Sequence, residues 1–291
     1  MSRTMIGPAI IVGALLTGCA SQGDAGAGVA GGGCSRAALQ AAVDSYVAGQ
    51  GAGDASLMNL AESLSYKQDR EPAALESGIL AKALNVQFQH SILDTELCES
   101  FTEIVDANPE EPYVLGVHLT VADGAVTEID TLVTTRGDWL FNANNFLAWA
   151  PEEDWSPIPD AERADRASLI AAGDAYLDRF SDETVEVPWG RPCRRLEGGA
   201  RTGNGSPEDT CEVGVPLGVN FPIRHHVVDT TLGAVVVLAP FGGEGGLPDS
   251  HLFRVEHGKL RWVHTITVCR DGQACPQVRD GGGFGPPGTD D

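Results

Sequence analysis

The sequence predicts an α+β protein that contains two copies of one domain, and three repeated segments carry this prediction. The first pair shares seven of eleven positions, and all three pairs occur in the same order, at offsets of 130, 135 and 134 residues. A domain-sized period indicates a tandem duplication and not a solenoid of short repeats. The pairs are "RAALQAAVDSY" (36–46) with "RASLIAAGDAY" (166–176), "QHSILDTEL" (89–97) with "RHHVVDTTL" (224–232), and "VADGAVTEIDTLVTTR" (121–136) with "VEHGKLRWVHTITVCR" (255–270).

An amphipathic helix opens each copy, because apolar residues recur at spacings of three and four. Alternating strand-like runs follow, and the dipeptides Asp123-Gly124 and His257-Gly258 are typical of tight hairpin turns. A helix followed by an antiparallel sheet is an α+β arrangement. The apolar helix faces consist of Leu39, Ala42, Val43 and Tyr46 in the first copy and of Leu169, Ala172, Gly173 and Tyr176 in the second.

The N-terminal segment predicts export. Residues 1–18 have the shape of a signal peptide, with one Arg and an apolar run too short to span a membrane. Leu16-Thr17-Gly18-Cys19 resembles a bacterial lipobox, which implies lipidation of Cys19, and Ala20 then favours the outer membrane. The alternative is an ordinary signal peptide that leaves Cys19 as a spare thiol. Residues 19–33 are predicted to form a Gly-rich tether, and the mature protein is expected to be anchored to the cell envelope or extracellular.

The remaining six cysteines are also expected of an exported chain, where an even number predicts disulfides. Six cysteines allow fifteen connectivities. We expect each cysteine to pair with its neighbour in sequence, which gives the pairs 34–98, 193–211 and 269–275.

Charge and motifs exclude several function classes. The chain has 41 acidic and 19 basic residues and a net charge of −22, which argues against nucleic acid or an anionic membrane surface as a partner. It has no dinucleotide-binding glycine motif after a strand, no P-loop and no HExxH motif, so we expect no cofactor. A metal site at His225, His226 and Asp229 is disfavoured, because that spacing on a strand gives poor facial geometry.

Several long motifs resemble a known family. The chain is similar to secreted fungal and bacterial proteins classed as domain of unknown function 8021, and its helix-then-sheet order resembles the SnoaL-like, ketosteroid-isomerase-like (nuclear-transport-factor-2-like) superfamily. This resemblance implies two tandem cone-shaped α+β barrels with conical cavities. The first half has "YKQDRE" (66–71) where the family carries a Tyr-x-Glu-Asn-type motif. The motifs are "GDWLFNA" (137–143), "AAGDAYLDRF" (171–180), "VPWGRPCRRLEGG" (187–199), "CEVGVP" (211–216) and "PDSHLFRVEHGKLRWVHTITVC" (248–269).

The domain boundaries follow from the repeats. Residues 34–150 are predicted to form the first domain and residues 151–275 the second, joined by a Pro- and Trp-containing connector at 142–163. Residues 276–291, rich in Gly and Pro, are predicted to be a disordered tail. Members of the superfamily often pair through their sheets, so we expect the halves to form an intramolecular pseudo-dimer that requires no further oligomer.

The second half is the predicted site, since five of the seven histidines lie there. Strand alternation places Leu260, Trp262, His264, Ile266 and Val268 on one side of a strand. His264 or His225 is the predicted base, because His transfers protons near neutral pH; a buried structural His is the alternative. Asp229 or Glu197 would orient the base. The predicted substrate-binding residues are Arg195, Arg194, Trp262, Asp249 and His251.

These residues predict a cofactor-independent lyase or isomerase that acts on a small polar organic molecule, such as a sugar acid or a secondary metabolite. The proton would be removed in the cavity of the second half, and Arg195 would bind a carboxylate or oxyanion. Two alternatives come from other classes. One is a lipoprotein that binds a small ligand without turnover, and the other is a structural lipoprotein whose cavities are filled by side chains.

Overall fold

The computed structural model describes Met1 and residues 34–212, 214–269, 275–278 and 284–285. The signal peptide, Cys19 and the tether therefore lie outside the described residues, and the two repeats belong to one compact unit that spans residues 32–291. The helices are α1 (Arg36–Ala52), α2 (Ala143–Trp149) and α3 (Arg166–Asp178), with short 3₁₀ turns at Ala55–Leu57, Ile79–Ala81, Ala150–Glu152 and Asp160–Glu162.

The first half contributes six strands and the second half repeats them. The first set is β1 (Leu60–Gln68), β2 (Glu71–Pro72), β3 (Phe88–Asp94), β4 (Glu99–Asp106), β5 (Tyr113–Ala122) and β6 (Ala125–Thr134). The second set is β7 (Trp189–Glu197), β8 (Ala200–Arg201), β9 (His225–Asp229), β10 (Ala234–Phe241), β11 (Leu247–Glu256) and β12 (Lys259–Thr267). A short pair, β13 (Gln277–Val278) and β14 (Phe284–Gly285), lies in the segment predicted to be a disordered tail.

The two six-stranded sheets have the same topology. Their strand orders are β2-β1-β6-β5-β4-β3 and β8-β7-β12-β11-β10-β9. In each sheet one pair is parallel, β1 with β6 and β7 with β12, and the other neighbours are antiparallel. The mixed α+β class and the duplication predicted from the sequence are therefore confirmed.

Each half encloses its own core between the opening helix and one face of its sheet. Ser35 caps α1 by accepting a hydrogen bond from the amide of Ala38, and Asp165 caps α3 in the same way through Ser168. The predicted helix faces are confirmed: Leu39, Val43, Tyr46, Leu169, Ala172, Gly173 and Tyr176 are buried, and Ala42 is half-buried.

The predicted hairpin turns are also confirmed. Asp123-Gly124 joins β5 to β6 and His257-Gly258 joins β11 to β12, and all four residues have positive φ values between 51° and 77°. Two consecutive residues with positive φ are the signature of the turn whose twist matches that of the flanking strands.

The opposite faces of the two sheets pack against each other. One apolar cluster joins Ile92 and Phe101 of the first half to Val227, Val236 and Leu252 of the second. Another joins Val105, Val114 and Leu132 to Leu196, Ile266 and Val268. Strands β4 and β10 are consequently buried on both faces over almost their whole length, which only a sheet covered on both sides allows.

The connector between the halves is more ordered than its three prolines suggest. Asn142 caps α2 by accepting a hydrogen bond from the amide of Asn145, and Phe146 of α2 is completely buried between the sheets. Burial of this aromatic ring stabilises a helix that periodicity did not predict, because the segment is only seven residues long.

Three disulfides join the predicted pairs, Cys34–Cys98, Cys193–Cys211 and Cys269–Cys275. Disulfides of this kind form and persist in oxidising compartments, which indicates a non-cytoplasmic, secreted protein. Among the residues that the structure describes, no helix is both long and apolar enough to cross a membrane.

Candidate functional site

A cavity of about 540 Å³ opens between α3 and the inner face of the second sheet. Aromatic and apolar side chains form most of its wall, and a few charged and hydroxyl groups interrupt them. This composition is typical of small-molecule sites. The lining residues are Trp139, Leu140, Tyr176, Phe180, Arg195, Glu197, Gly214, Pro216, Phe241, His251, Thr265, Thr267 and Pro276.

One polar group of the cavity is an ion pair on β7. Nε of Arg195 lies 3.0 Å from Oε1 of Glu197, and both side chains are almost completely buried. Nη1 of Arg195 donates a hydrogen bond to the hydroxyl of Tyr176 at 3.3 Å. Burial raises the pKa of Tyr176 to about 12 even though the charge of Arg195 acts in the opposite direction, so the phenol stays neutral at physiological pH.

The second polar group is a histidine beside a carboxylate. Asp249 and His251 alternate along β11, so both side chains point into the cavity side of the sheet. Nδ1 of His251 lies 2.8 Å from Oδ2 of Asp249, an ion-pair distance without the alignment of a hydrogen bond, and the hydroxyl of Thr267 donates to Oδ1 of the same carboxylate at 2.5 Å. Within the described part of the chain, the hydroxyl of Thr265 has no hydrogen-bond partner although it is buried at the cavity wall. A ligand could therefore accept or donate a hydrogen bond there.

The first half lacks this polar cluster. The offset of 134 residues that relates Val121 to Val255 places Leu115 and Val117 at the positions of Asp249 and His251. Both are fully buried apolar residues of the first core. Strand pairing likewise equates Tyr66 with Arg195, because Tyr66 pairs with Ile129 as Arg195 pairs with Val263. The polar cavity is therefore a property of one copy and not of the shared fold.

His264, the first predicted base, does not line the cavity. It lies on the opposite face of β12, in the contact between the two sheets, and is 1% exposed. The prediction that it shares a face with Leu260 is wrong, because a bulge interrupts β12 between the two residues. The pairing of β12 with β11 shifts register between Arg254 and Val255, and its pairing with β7 shifts register between Leu260 and Trp262. A bulge of this kind moves every following side chain to the other face.

The surroundings of His264 suit a structural cation. Nδ1 lies 2.8 Å from Oε2 of Glu103 and Nε2 lies 2.7 Å from Oε2 of Glu153. Burial acts to lower the pKa of His264, but the two carboxylates outweigh it and raise the pKa well above its ordinary value of 6.5. The rings of Phe146 and Trp155 approach it edge-on. A protonated imidazole held by two carboxylates has no free nitrogen with which to remove a proton.

His225 and Asp229 also lie at the contact between the halves and not in the cavity. Nε2 of His225 is 2.6 Å from Oε2 of Glu99, a residue of the first half, and this contact raises the pKa of His225. Asp229 binds the guanidinium of Arg36 at 2.7 Å and accepts a hydrogen bond from the amide of Leu93. In the described part of the chain Asp229 has no hydrogen bond with a histidine, so nothing supports its predicted role in orienting a base.

Arg194 and Trp262 face away from the cavity as well. Arg194 forms an ion pair with Asp209 at 3.1 Å, and its guanidinium lies 5.6 Å from the centre of the Trp262 ring. The indole nitrogen of Trp262 donates a hydrogen bond to the carbonyl of Asp154. Of the predicted site residues, the structure therefore brings together Arg195, Glu197, Asp249 and His251, and it separates His264, His225, Asp229, Arg194 and Trp262 from them.

Sequence reasoning missed most of the cavity wall. Trp139 and Leu140 come from the segment after β6, and the indole of Trp139 lies 3.4 Å from Oε2 of Glu197. The sequence places Tyr176 only on the apolar face of a repeated helix. Thr265 and Thr267 would have been found if the bulge in β12 had been known, because they alternate with His264. No sequence pattern connects Trp139 to β7.

The arrangement supplies an imidazole beside a carboxylate, a buried guanidinium, and hydroxyl groups within a mostly apolar enclosure. Such a set can accept a proton from a bound molecule and stabilise a developing negative charge in a medium of low dielectric constant.

Comparison with known proteins identifies one similar family, whose function is unknown. The chain matches no protein in a search of curated sequences. A family model matches residues 162–267, which include α3 and β7–β12 and thus most of the cavity. The match does not extend over the first half, although the sequence motifs also include residues 137–143. Residues 162–267 are accordingly similar to a family described as Domain of unknown function (DUF8021).

Proposed function

We propose that the second half is a cofactor-independent lyase or isomerase in which His251, and not His264 or His225, removes a proton from a small organic acid. The observation that carries this proposal is the Asp249–His251 contact of 2.8 Å in a cavity that also contains the Arg195–Glu197 ion pair. Clusters of buried charge in apolar cavities are typical of active sites, because they cost folding free energy that a purely structural core avoids.

The proposed reaction is a β-elimination. Neutral His251 takes the proton next to the carboxylate of the substrate, and the electron pair of that C–H bond moves toward the carboxylate as an enolate. Arg195 and the neutral hydroxyl of Tyr176 stabilise the enolate. The pair then forms the C=C bond, and the hydroxyl at the β-carbon leaves as water after it takes the proton from the imidazolium of His251. Asp249 stabilises the imidazolium formed on His251, as a carboxylate does in other His-based sites.

The proposed substrate class is an organic acid with a hydroxyl group, either a sugar acid or a hydroxylated secondary metabolite. Arg195 would bind the carboxylate, and the free hydroxyl of Thr265 would contact a substrate hydroxyl. Phe180, Phe241 and Trp139 offer ring faces for an apolar or ring portion of the molecule.

Deuterium incorporation tests the proposal without knowledge of the natural substrate. The full-length protein is incubated in D₂O with gluconate, galactonate or mandelate, and NMR detects exchange of the α-proton or loss of water. We expect exchange with at least one acid, and His251→Ala should reduce its rate on the order of 100-fold or more. His226→Ala is the matched control, because His226 binds Asp174 of α3, does not line the cavity and should leave the rate unchanged.

Two outcomes would contradict the assignment. Exchange that persists in His251→Ala but disappears in His264→Ala would restore the base predicted from the sequence. Saturable binding of an acid with no exchange in wild-type protein would favour the alternative, a non-catalytic ligand-binding protein. That alternative has one observation in its favour, since Glu197 already neutralises much of the charge of Arg195.

We further propose that each half is a SnoaL-like domain and that the protein is anchored to the envelope through lipidated Cys19. The helix followed by a six-stranded sheet of identical topology in both halves supports the first proposal. Three disulfides and the Leu-Thr-Gly-Cys motif support the second. Mass spectrometry of the mature N-terminus in the native host would detect the lipid, and a Cys19→Ser variant should lack it.

A further inference from the structure

Three side chains with metal-binding atoms converge where the two halves meet. Glu99 begins β4, His118 lies on β5, and His225 begins β9 of the other half. Oε2 of Glu99 is 2.6 Å from Nε2 of His225 and 3.3 Å from Nε2 of His118. The three candidate ligand atoms all lie within 4.8 Å of one another.

His118 gives this cluster a second, independent feature. It is 8% exposed, and within the residues that the structure describes its Nε2 has no hydrogen-bond partner. A buried ring nitrogen without a partner costs free energy unless a ligand satisfies it. His225 lies beside it with a side chain that is 43% exposed, so the cluster is open to solvent on one side.

We propose that Glu99, His118 and His225 bind a divalent transition metal ion, with Zn²⁺ as the first candidate, across the contact between the two halves. Two imidazoles and one carboxylate are ligands that Zn²⁺ accepts, and three protein ligands leave a fourth position for water. Imidazole ligands favour Zn²⁺, Cu²⁺ or Ni²⁺ over Mg²⁺ or Ca²⁺. This site differs from the disfavoured set of His225, His226 and Asp229, because its ligands come from three strands and not from one.

Both separations that involve Glu99 lie within about 1 Å of the value expected around a tetrahedral ion. Ligands at about 2.1 Å from Zn²⁺ are separated by about 3.4 Å from each other. Oε2 of Glu99 and Nε2 of His118 are 3.3 Å apart, which already agrees with this value to about 0.1 Å. His225 must retreat from Glu99 by somewhat less than 1 Å, as a ~3.4 Å separation requires, and its exposure leaves room for that movement.

The charges around the cluster also favour a cation. Glu99 supplies a carboxylate between the imidazoles of His118 and His225, with Oε2 3.3 Å and 2.6 Å from their Nε2 atoms. The carboxylate of Asp94 favours a positive charge near His225, whereas the guanidinium of Arg70 disfavours it.

The duplication supplies an internal comparison. Strand pairing equates Glu99 with Ala234 and His118 with Leu252, while His225 corresponds to His90. The equivalent position in the other copy therefore keeps one histidine and has apolar residues for the other two ligands. The proposed site is present once, which predicts one metal ion for each chain.

Isothermal titration of metal-free, full-length protein without a histidine tag tests the proposal. We expect one Zn²⁺ ion per chain, and Co²⁺ in its place should give the visible absorption of a tetrahedral site. His225→Ala, His118→Leu and Glu99→Ala should each weaken binding on the order of 100-fold. The last two substitutions introduce the residues that the other half already uses. His226→Ala is the matched control and should bind Zn²⁺ as wild type does.

Thermal unfolding gives a second readout, because an ion that binds only the folded state raises the melting temperature. Zn²⁺ should raise it in wild type and His226→Ala but not in His225→Ala, whose exposed side chain can be removed without unfolding the protein. No saturable Zn²⁺ binding to wild type, or binding that survives in His225→Ala and His118→Leu, would overturn the proposal.

Discussion

Arg36 of the first half lies 2.7 Å from Asp229 of the second, and this ion pair has a reciprocal counterpart. Arg166 lies 2.7 Å from Asp94, with the halves exchanged. Each aspartate also accepts a hydrogen bond from a backbone amide of the opposite half, Asp229 from Leu93 and Asp94 from Val228. The repeated Arg and Asp of the duplicated segments thus join the two copies, which explains their recurrence without a catalytic role.

Loss of either aspartate should destabilise the contact between the halves. Asp229 is 1% exposed and also accepts hydrogen bonds from the amides of Thr231 and Leu232. We expect Asp229→Ala to lower the free energy of unfolding by about 1–3 kcal/mol, since it removes a buried carboxylate and leaves backbone donors unsatisfied, while the partner Arg36 is more than a third exposed. Urea unfolding measures this change. Asp44→Ala on the exposed surface of α1 is the control and should cost less than about 0.5 kcal/mol; equal effects would contradict the structural role of Asp229.

Stability should fall as the pH rises above neutrality because of His264. The pKa of His264 is raised in the folded protein, so its contribution is fully present below the unfolded value of about 6.5 and is lost as the pH rises through the folded pKa. His225, whose pKa is also raised, contributes with the same sign. Urea midpoints measured across this range for wild type and His264→Gln isolate the part due to His264. If stability changed with pH in the same way in both proteins, His264 would be uncharged in the folded protein and the prediction would be wrong.

Tyr176 and Tyr46 form a matched pair for separating stability from activity. They occupy equivalent helix positions and are both 1% exposed, but only Tyr176 lines the cavity and contacts Arg195. Removal of each hydroxyl as Tyr→Phe should cost about 1 kcal/mol of unfolding free energy. Only Tyr176→Phe should alter acid binding or deuterium exchange. A similar loss of exchange in Tyr46→Phe would indicate an indirect effect of stability.

The disulfides should differ in their contributions. Cys34–Cys98 closes a loop with a sequence separation of 64, whereas Cys269–Cys275 has a separation of 6. The loop-entropy relation predicts losses of about 4 kcal/mol and about 2 kcal/mol when each pair is replaced by serine. Chemical unfolding of the two double variants measures both values. The reverse order would mean that folded-state contacts at the shorter loop dominate over chain entropy.

Sequence reasoning succeeded where the determinants are local. The helix faces of Tyr46 and Tyr176, the Asp123-Gly124 turn and the duplication follow from spacing alone. It failed at His264, because a bulge changes the face of β12 and side-chain alternation does not reveal a bulge. Arg195, Glu197, Asp249 and His251 were selected by residue type, but their grouping needed the pairing of strands β7, β12 and β11.

The proposed metal cluster shows a second limit. Glu99 and His118 lie in the first half, whereas the sequence predicts a site in the second half, and only the packing of one sheet on the other brings them to His225. Residues that meet across the two halves have no fixed spacing along the chain, so no motif search finds them.

The packing of the two sheets within one chain has a further consequence. In a symmetric dimer of identical chains, every substitution at the contact appears twice, on both sides of the twofold axis. Covalent fusion of the copies removes that restriction. Glu99 faces its neighbours while the equivalent position is Ala234, and the same holds for His118 and Leu252. The two halves of the chain behave like the subunits of a heterodimer with a fixed 1:1 ratio. Residues on each side of the contact can therefore change without a matching change on the other side.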